Sequence, residues 1–209
     1  MKEGRYMRRI RWYIVMVLGI LFMLSGTARS DKLSEYLGEA MKRLSVVRNA
    51  PSLAVLTDAG YVTVNGQSTL PCIDTIGEIT GCTAGSGRLL FYHRSIDSPL
   101  SIVLFDKETM SCVVITRTGR ETVIGDVVDI GLDRLGNEHD WGIIRDKLGA
   151  DAFAIVSFTH HWAAGAPYDF FKCAEFHDHI CPGVTSGYFL ANYIRSHPVS
   201  YTHLTLPTN

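Results

Sequence analysis

The chain has 209 residues, of which 46% are apolar and 20% are charged, so it can bury a sizeable core and is not compositionally disordered. Its 20 lysines and arginines nearly balance its 21 aspartates and glutamates, and basic residues form a run only within the first eleven positions. This balance argues against recognition of nucleic acid, so the expected partner is a small molecule or a metal ion.

The N-terminus is typical of a secretory signal. Four arginines precede an apolar run over residues 13–24, and small and polar residues follow at 25–30. Twelve apolar residues span about 18 Å as a helix, which is short of the roughly 30 Å hydrocarbon core of a bilayer. We therefore predict a signal peptide over residues 1–30 and a secreted or extracytoplasmic protein that meets the membrane only through this segment. An uncleaved membrane anchor is the alternative.

Residues 31–135 are predicted to form a complete domain. Apolar residues recur at three- and four-residue intervals over 33–47, which indicates an amphipathic helix, and the apolar run 52–57 indicates a buried strand. Pro71 suits the first turn of a second helix, which Gly81 ends.

Consecutive strands are predicted after this helix. Three runs rich in β-branched and aromatic residues, at 88–92, 100–105 and 112–117, predict an antiparallel meander. A fourth short run at 122–124 extends it. The predicted fold class is α+β, with helices packed on one face of a largely antiparallel sheet.

A second unit is predicted over residues 136–198. Its expected elements are a helix at 141–148, a strand at 152–158, a helix at 168–176, and a last helix with an apolar stripe from Val184 to Ile194. Nothing after that helix can cover the stripe, so we predict a truncated second copy of the domain in a chain that is a fragment. Residues 199–209 are predicted to be an extraneous tail, with a genuine threonine-rich tail as the alternative.

The segment 176–183 carries the most informative chemistry. His177, His179 and Cys181 stand two residues apart, a spacing that places three good ligands on one side of an extended chain. Pro182 disfavours a helical Cys181 and suits a helix start, so the thiol is expected at a helix N-terminus, where thiolate is favoured. Two imidazoles and a thiolate are suited to zinc, with ferrous iron also compatible, and they leave a fourth position open. Two surface histidines beside a cysteine that caps the helix are the alternative.

The other cysteines and histidines are weaker candidates for a functional site. The cysteine count of five is odd, so at least one thiol is free or metal-bound. Cys72 and Cys82 can form a disulfide, be plain buried thiols or contribute to a metal site, whereas Cys173 is expected in the core. The loop 81–87 can cradle an anion or simply end a helix. His160 and His161 are either a surface pair or outer partners of a metal site.

The segment 176–183 resembles the His-Gly-His-x-Cys-Pro-Gly signature of the E-type subunit family of formylmethanofuran dehydrogenase. The stretch Cys72-x-Asp74-x-Ile76-x-x-x-Thr80-Gly81-Cys82-Thr83 with its following glycines resembles the second motif of that family. Asp178 replaces the usual glycine, Cys72 falls one residue late, and the two motifs appear in inverted order, which two tandem domains would explain.

The resemblance implies a metal-binding α+β domain, often paired, in methanogenic or related anaerobes, either as a homodimer or as a tandem-domain pseudo-dimer. It implies metal ligation by His177, His179 and Cys181 and, from the second motif, by Cys82 as a fourth ligand.

The expected function is that of an exported transition-metal-binding protein, accessory to one-carbon or redox metabolism. The alternatives are a metal-dependent enzyme with an open coordination position and a thiol redox protein, which would need a resolving cysteine.

Overall fold

The computed structural model describes residues 32–197. The predicted signal peptide over residues 1–30 and the predicted tail over 199–209 lie outside this range. Within residues 32–197, none of the helices combines the length and the apolar character needed to cross a membrane.

Two helices cover one face of the sheet. Helix α1 spans residues 32–43, and it is shorter than the predicted 33–47 because Ser45 adopts a left-handed backbone with φ of 58°. Val47, which the prediction placed on the apolar face, is 72% exposed. Helix α2 (Pro71–Thr80) begins and ends as predicted, because Pro71 occupies its first turn and Gly81 takes φ of 74° after its last residue.

The sheet is mostly antiparallel, as predicted, with strand order β4-β1-β5-β6-β7 and β8 paired to β6; a separate hairpin joins β2 and β3. The strands are β1 (Leu53–Thr57), β2 (Thr63–Val64), β3 (Gln67–Ser68), β4 (Leu89–Phe91), β5 (Leu100–Asp106), β6 (Ser111–Thr118), β7 (Glu121–Ile124) and β8 (Val128–Asp129). The strand predicted at residues 52–57 is therefore the fully buried β1 in the interior of the sheet.

The predicted meander is correct for β5, β6 and β7 but wrong for β4. Strand β4 pairs in parallel with β1, so that Val55 lies opposite Leu89, and β1 separates it from β5. The reason is helix α2, which connects β1 to β4. Because α2 returns the chain to the end of the sheet at which β1 begins, β1 and β4 run in the same direction. The carboxyl ends of β1 and β4 consequently meet at one edge of the sheet.

Helices of the second half cover the opposite face. They are α3 (Leu132–Leu135), α4 (Glu138–Leu148), α5 (Ala152–Ala163), α6 (Tyr168–Ala174) and α7 (Pro182–Ser196). The strand predicted at residues 152–158 is wrong, since these residues form the first part of α5. A deeply buried helix shows the same continuous apolar run as a buried strand, and periodicity alone does not separate the two.

The sheet is thus the middle layer between two apolar cores. Leu53, Val55 and Ile102 point into the core shared with α1 and α2. Leu56 and Val103 point into the core shared with α4, α5, α6 and Ile180. Since the later helices complete the second face of this sheet, they add a layer to the predicted α+β arrangement, and a truncated second copy of the domain is not shown.

Candidate metal centre

The segment between α6 and α7 combines two turns with one extended residue. Helix α6 tightens into a 3₁₀ turn over Glu175–His177, and Asp178 then takes a left-handed backbone with φ of 62°. Ile180 is buried in the second core, and Cys181 is extended, with φ of −130° and ψ of 170°, immediately before Pro182 opens α7. The prediction that Pro182 starts a helix with an extended Cys181 before it is confirmed.

The three candidate ligands converge. One ligand atom of each of His177, His179 and Cys181 lies within 4.8 Å of the others. The Sγ of Cys181 is 3.3 Å from Nε2 of His177, and the two imidazole centroids are 4.5 Å apart. A tetrahedral zinc ion with bonds of about 2.0–2.3 Å holds its ligand atoms roughly 3–4 Å apart. The cluster can therefore hold a metal ion after only small side-chain movements.

The convergence has a different cause from the one the sequence suggested. The predicted extended chain is wrong for His177, which ends the 3₁₀ turn, and for Asp178, which reverses the chain direction. The left-handed turn at Asp178 brings the two imidazoles to the same side. Left-handed backbone favours glycine and, among other residues, aspartate and asparagine. This accounts for an aspartate where the resembled signature has glycine.

Asp178 and Phe153 orient the imidazole of His179. The Nδ1 of His179 is 2.5 Å from Oδ1 of Asp178, which leaves Nε2 as the ring nitrogen available to a metal ion. The ring of Phe153, near the start of α5, meets the same imidazole edge to face at 5.3 Å. A carboxylate partner on the second ring nitrogen is the usual arrangement around metal-binding histidines.

Replacing Asp178 with alanine should lower the affinity for Zn²⁺ by about 10- to 100-fold, because both the outer partner of His179 and a residue tolerant of left-handed backbone are lost. Asp178→Asn is the matched control, since asparagine tolerates this conformation and keeps an oxygen acceptor. Competition titrations with a chromogenic chelator measure both affinities. Equal affinity for the two variants would contradict this role of Asp178.

Cys82 stands apart from the cluster. It is a free, buried thiol in the first core, where its Sγ donates to the Leu53 carbonyl at 3.4 Å, and burial raises the pKa of the thiol. Because the sheet separates this core from the helical layer that carries Cys181, the structure does not bring Cys82 to the other three residues. The free Cys82 thiol also means that the disulfide with Cys72 is not formed.

The remaining candidates also have local partners. His160 and His161 lie on α5, where their ring nitrogens contact the carbonyls of Ile130 and Ser157, each at 2.7 Å. Neither belongs to the cluster. Cys173 is exposed on α6, so its predicted place in the core is wrong.

The loop 81–87 uses its amides internally. The amide of Thr83 donates to Ser86 Oγ, and the amides of Ser86 and Arg88 donate to the Thr83 carbonyl. This pattern supports the structural interpretation of the glycines and not the anion site.

A buried acidic group that the sequence interpretation missed lies at the sheet edge. Asp58 follows β1 and is 1% exposed; its Oδ1 accepts the Ser101 amide at 2.8 Å, and its Oδ2 has no hydrogen-bond partner among the described residues. Burial raises the pKa of Asp58 to about 7, although the Ser101 amide and the Arg94 guanidinium oppose this shift. Arg94 also pairs with Asp151 just before α5. The sequence signal for it was an acidic residue directly after a mostly apolar strand.

Because Asp58 is a buried acid, we expect the free energy of unfolding to depend on pH. The folded-state pKa of Asp58 lies near 7 against an ordinary value of 3.8, so the folded protein binds an extra proton between these values and loses stability as the pH rises through that window. A shift of about three units corresponds to about 4 kcal/mol at most. Denaturant unfolding at pH 5 and pH 8 should show a smaller decline for Asp58→Asn than for the unsubstituted chain. An identical decline in the free energy of unfolding for both proteins would contradict a raised pKa of Asp58.

The fold and the site define a mixed α/β protein with a mostly antiparallel sheet and a cluster of two histidines and one cysteine that can hold a metal ion. Comparison of the chain with protein-family models, with curated proteins and with solved structures finds no match. The chemistry of the site is therefore inferred from its own residues.

Proposed function

We propose that the chain is an exported transition-metal-binding protein, similar to the E-type subunits of formylmethanofuran dehydrogenase and accessory to one-carbon or redox metabolism in an anaerobe. The convergence of His177, His179 and Cys181 within 4.8 Å carries the metal-binding part of this proposal. The resemblance of the motif supports the accessory role, and the N-terminal pattern supports export. Following the same resemblance, we propose a paired assembly as a homodimer, because the later helices of this chain complete the one sheet and do not form a second domain.

Zinc is the proposed metal, with ferrous iron as the alternative. A thiolate and two imidazoles form a borderline-soft donor set, which suits zinc in tetrahedral geometry. The Nδ1 of His179 donates to the Asp178 carboxylate, which adds the outer partner that such sites usually have. With three protein ligands, the fourth position belongs to water or to an external ligand.

A metal-dependent enzyme is the second candidate function. The observation in its favour is that His177 is exposed, so the fourth position of a bound metal ion would face solvent. A metal-bound water in such a position becomes a nucleophile near neutral pH. An exchangeable fourth position is necessary for such an enzyme, and spectral titration of the Co²⁺-loaded protein with azide tests for it. A spectrum that does not respond to azide would rule out the enzyme and leave the metal-binding function standing.

Metal analysis of the full-length protein tests the proposed function. We expect one zinc ion per chain after purification, and loss of Zn²⁺ uptake when the metal-free protein is first alkylated at its thiols. A thiol redox protein would instead show no bound metal and reversible oxidation. A protein that binds no zinc or iron before or after alkylation would overturn the proposal.

A further inference from the structure

We propose that Glu175 is a positioning residue of the metal centre, fixing the ligand-bearing segment to the edge of the sheet. This inference rests on the proposed metal-binding function. Glu175 is 5% exposed, although glutamate is rarely buried without partners, and it precedes the first candidate ligand by only two residues.

The side chain of Glu175 has two partners. Its carboxylate accepts from the hydroxyl of Tyr61, which lies in the loop after β1, and from the ammonium group of Lys172 on α6. Burial and the Glu175 carboxylate both raise the pKa of the Tyr61 hydroxyl, which keeps it a neutral donor. The carboxylate therefore connects the helical layer to the carboxyl edge of β1.

The backbone of the same residue is tied to the neighbouring strand. The carbonyl of Glu175 accepts the amide of His93, just after β4, at 2.7 Å. The rings of Tyr61, His93 and Phe176 pack against one another with centroids 5.1–6.0 Å apart. Glu175 thus holds the start of the segment through its side chain and its main chain together.

A second anchor holds the other end of the segment. The amide of Ile180 donates to Ser157 Oγ on α5 at 3.0 Å, and the Ile180 side chain is buried in the second core. His177 and His179 lie between these two anchors. Because the turn at Asp178 is short, a shift at Glu175 moves the first imidazole relative to Cys181, which α7 holds separately.

The test uses Co²⁺ as the probe, because its ligand-field and thiolate charge-transfer bands report the geometry of the site. Glu175→Ala should bind Co²⁺ about 10- to 100-fold more weakly than the unsubstituted chain and with altered bands, while Glu175→Gln, which keeps an acceptor for Tyr61, should restore most of the affinity. Asp106→Ala is the matched control. Asp106 is also a buried carboxylate, but it accepts from Thr109 at the opposite edge of the sheet.

The control variant Asp106→Ala should unfold at a lower temperature and keep the Co²⁺ affinity and spectrum of the unsubstituted chain. If Glu175→Ala lowered the unfolding temperature in the same way with native Co²⁺ binding, Glu175 would be merely structural and the inference would be overturned. If Glu175→Ala does not fold, Tyr61→Phe takes its place, because it removes one partner of the Glu175 carboxylate. We expect Tyr61→Phe to bind Co²⁺ several-fold more weakly than the unsubstituted chain. Unchanged Co²⁺ binding by Tyr61→Phe would overturn the inference. Failure of the unsubstituted chain to bind Co²⁺ or Zn²⁺ would overturn this inference together with the proposed function.

Discussion

Replacing Cys181 with serine should lower the affinity for Zn²⁺ by roughly 100-fold or more, because the site loses its only thiolate and a neutral hydroxyl is a poor zinc ligand. The backbone should be unaffected, since Cys181 precedes α7 in an extended conformation that serine also adopts. The measurement is a Zn²⁺ competition titration with a chromogenic chelator on the purified full-length protein.

Cys173→Ser is the matched control for this substitution. Cys173 is an exposed free thiol on α6, in the same helical layer, but it does not belong to the cluster. It should keep the affinity of the unsubstituted chain. If Cys181→Ser retained full zinc binding, or if Cys173→Ser lost it equally, the cysteine beside Pro182 would be only a helix cap.

Replacing Phe158 with alanine should lower the free energy of unfolding by about 3–5 kcal/mol, the usual cost of removing a buried aromatic ring. Phe158 is fully buried on α5, and its ring lies 6.5 Å from Tyr92 at the end of β4 and 6.1 Å from Phe171 on α6. Urea unfolding followed by circular dichroism and by tryptophan fluorescence measures the loss.

Phe153→Ala is the control on the same helix. Phe153 is half exposed, so its replacement should lower the free energy of unfolding by about 0.5 kcal/mol or less, as is usual for surface substitutions. Trp162 packs against Phe105 of β5, so its fluorescence reports the second core. Equal costs for Phe158 and Phe153 would contradict the packing of α5 against the sheet.

The sequence was sufficient where local stereochemistry decides the structure. Pro71 and Gly81 define the limits of α2, and Pro182 defines the start of α7, because proline and glycine restrict or permit particular backbone angles regardless of tertiary contacts. The alternating and apolar runs of β1, β5 and β6 likewise identified the mostly antiparallel sheet.

Features that depend on tertiary packing were not predictable in the same way. The run from Ala152 to Phe158 is almost continuously apolar because most of its residues are buried, and such a run does not distinguish a helix from a strand. The parallel pairing of β1 with β4 depends on where α2 returns the chain.

The candidate site was predicted in its members but not in its geometry. The spacing of His177, His179 and Cys181 suggested convergence along an extended chain, whereas a left-handed Asp178 produces it. Cys82 was included through the resemblance, and the layer order separates it from the cluster. The supporting roles of Glu175 and Ser157 involve partners far away in sequence, for which a single sequence carries no signal.

The layer order also affects synthesis of the chain. The last strand of the sheet ends at Asp129, whereas residues that cover its second face, such as Ile155 and Phe171, come later. At about 5–20 residues per second, the 50 residues from 130 to 179 take roughly 3–10 seconds to emerge from a ribosome. Leu56, Leu90 and Phe105, on the second face of the sheet, therefore have no partners from the helical layer until that part of the chain has been made.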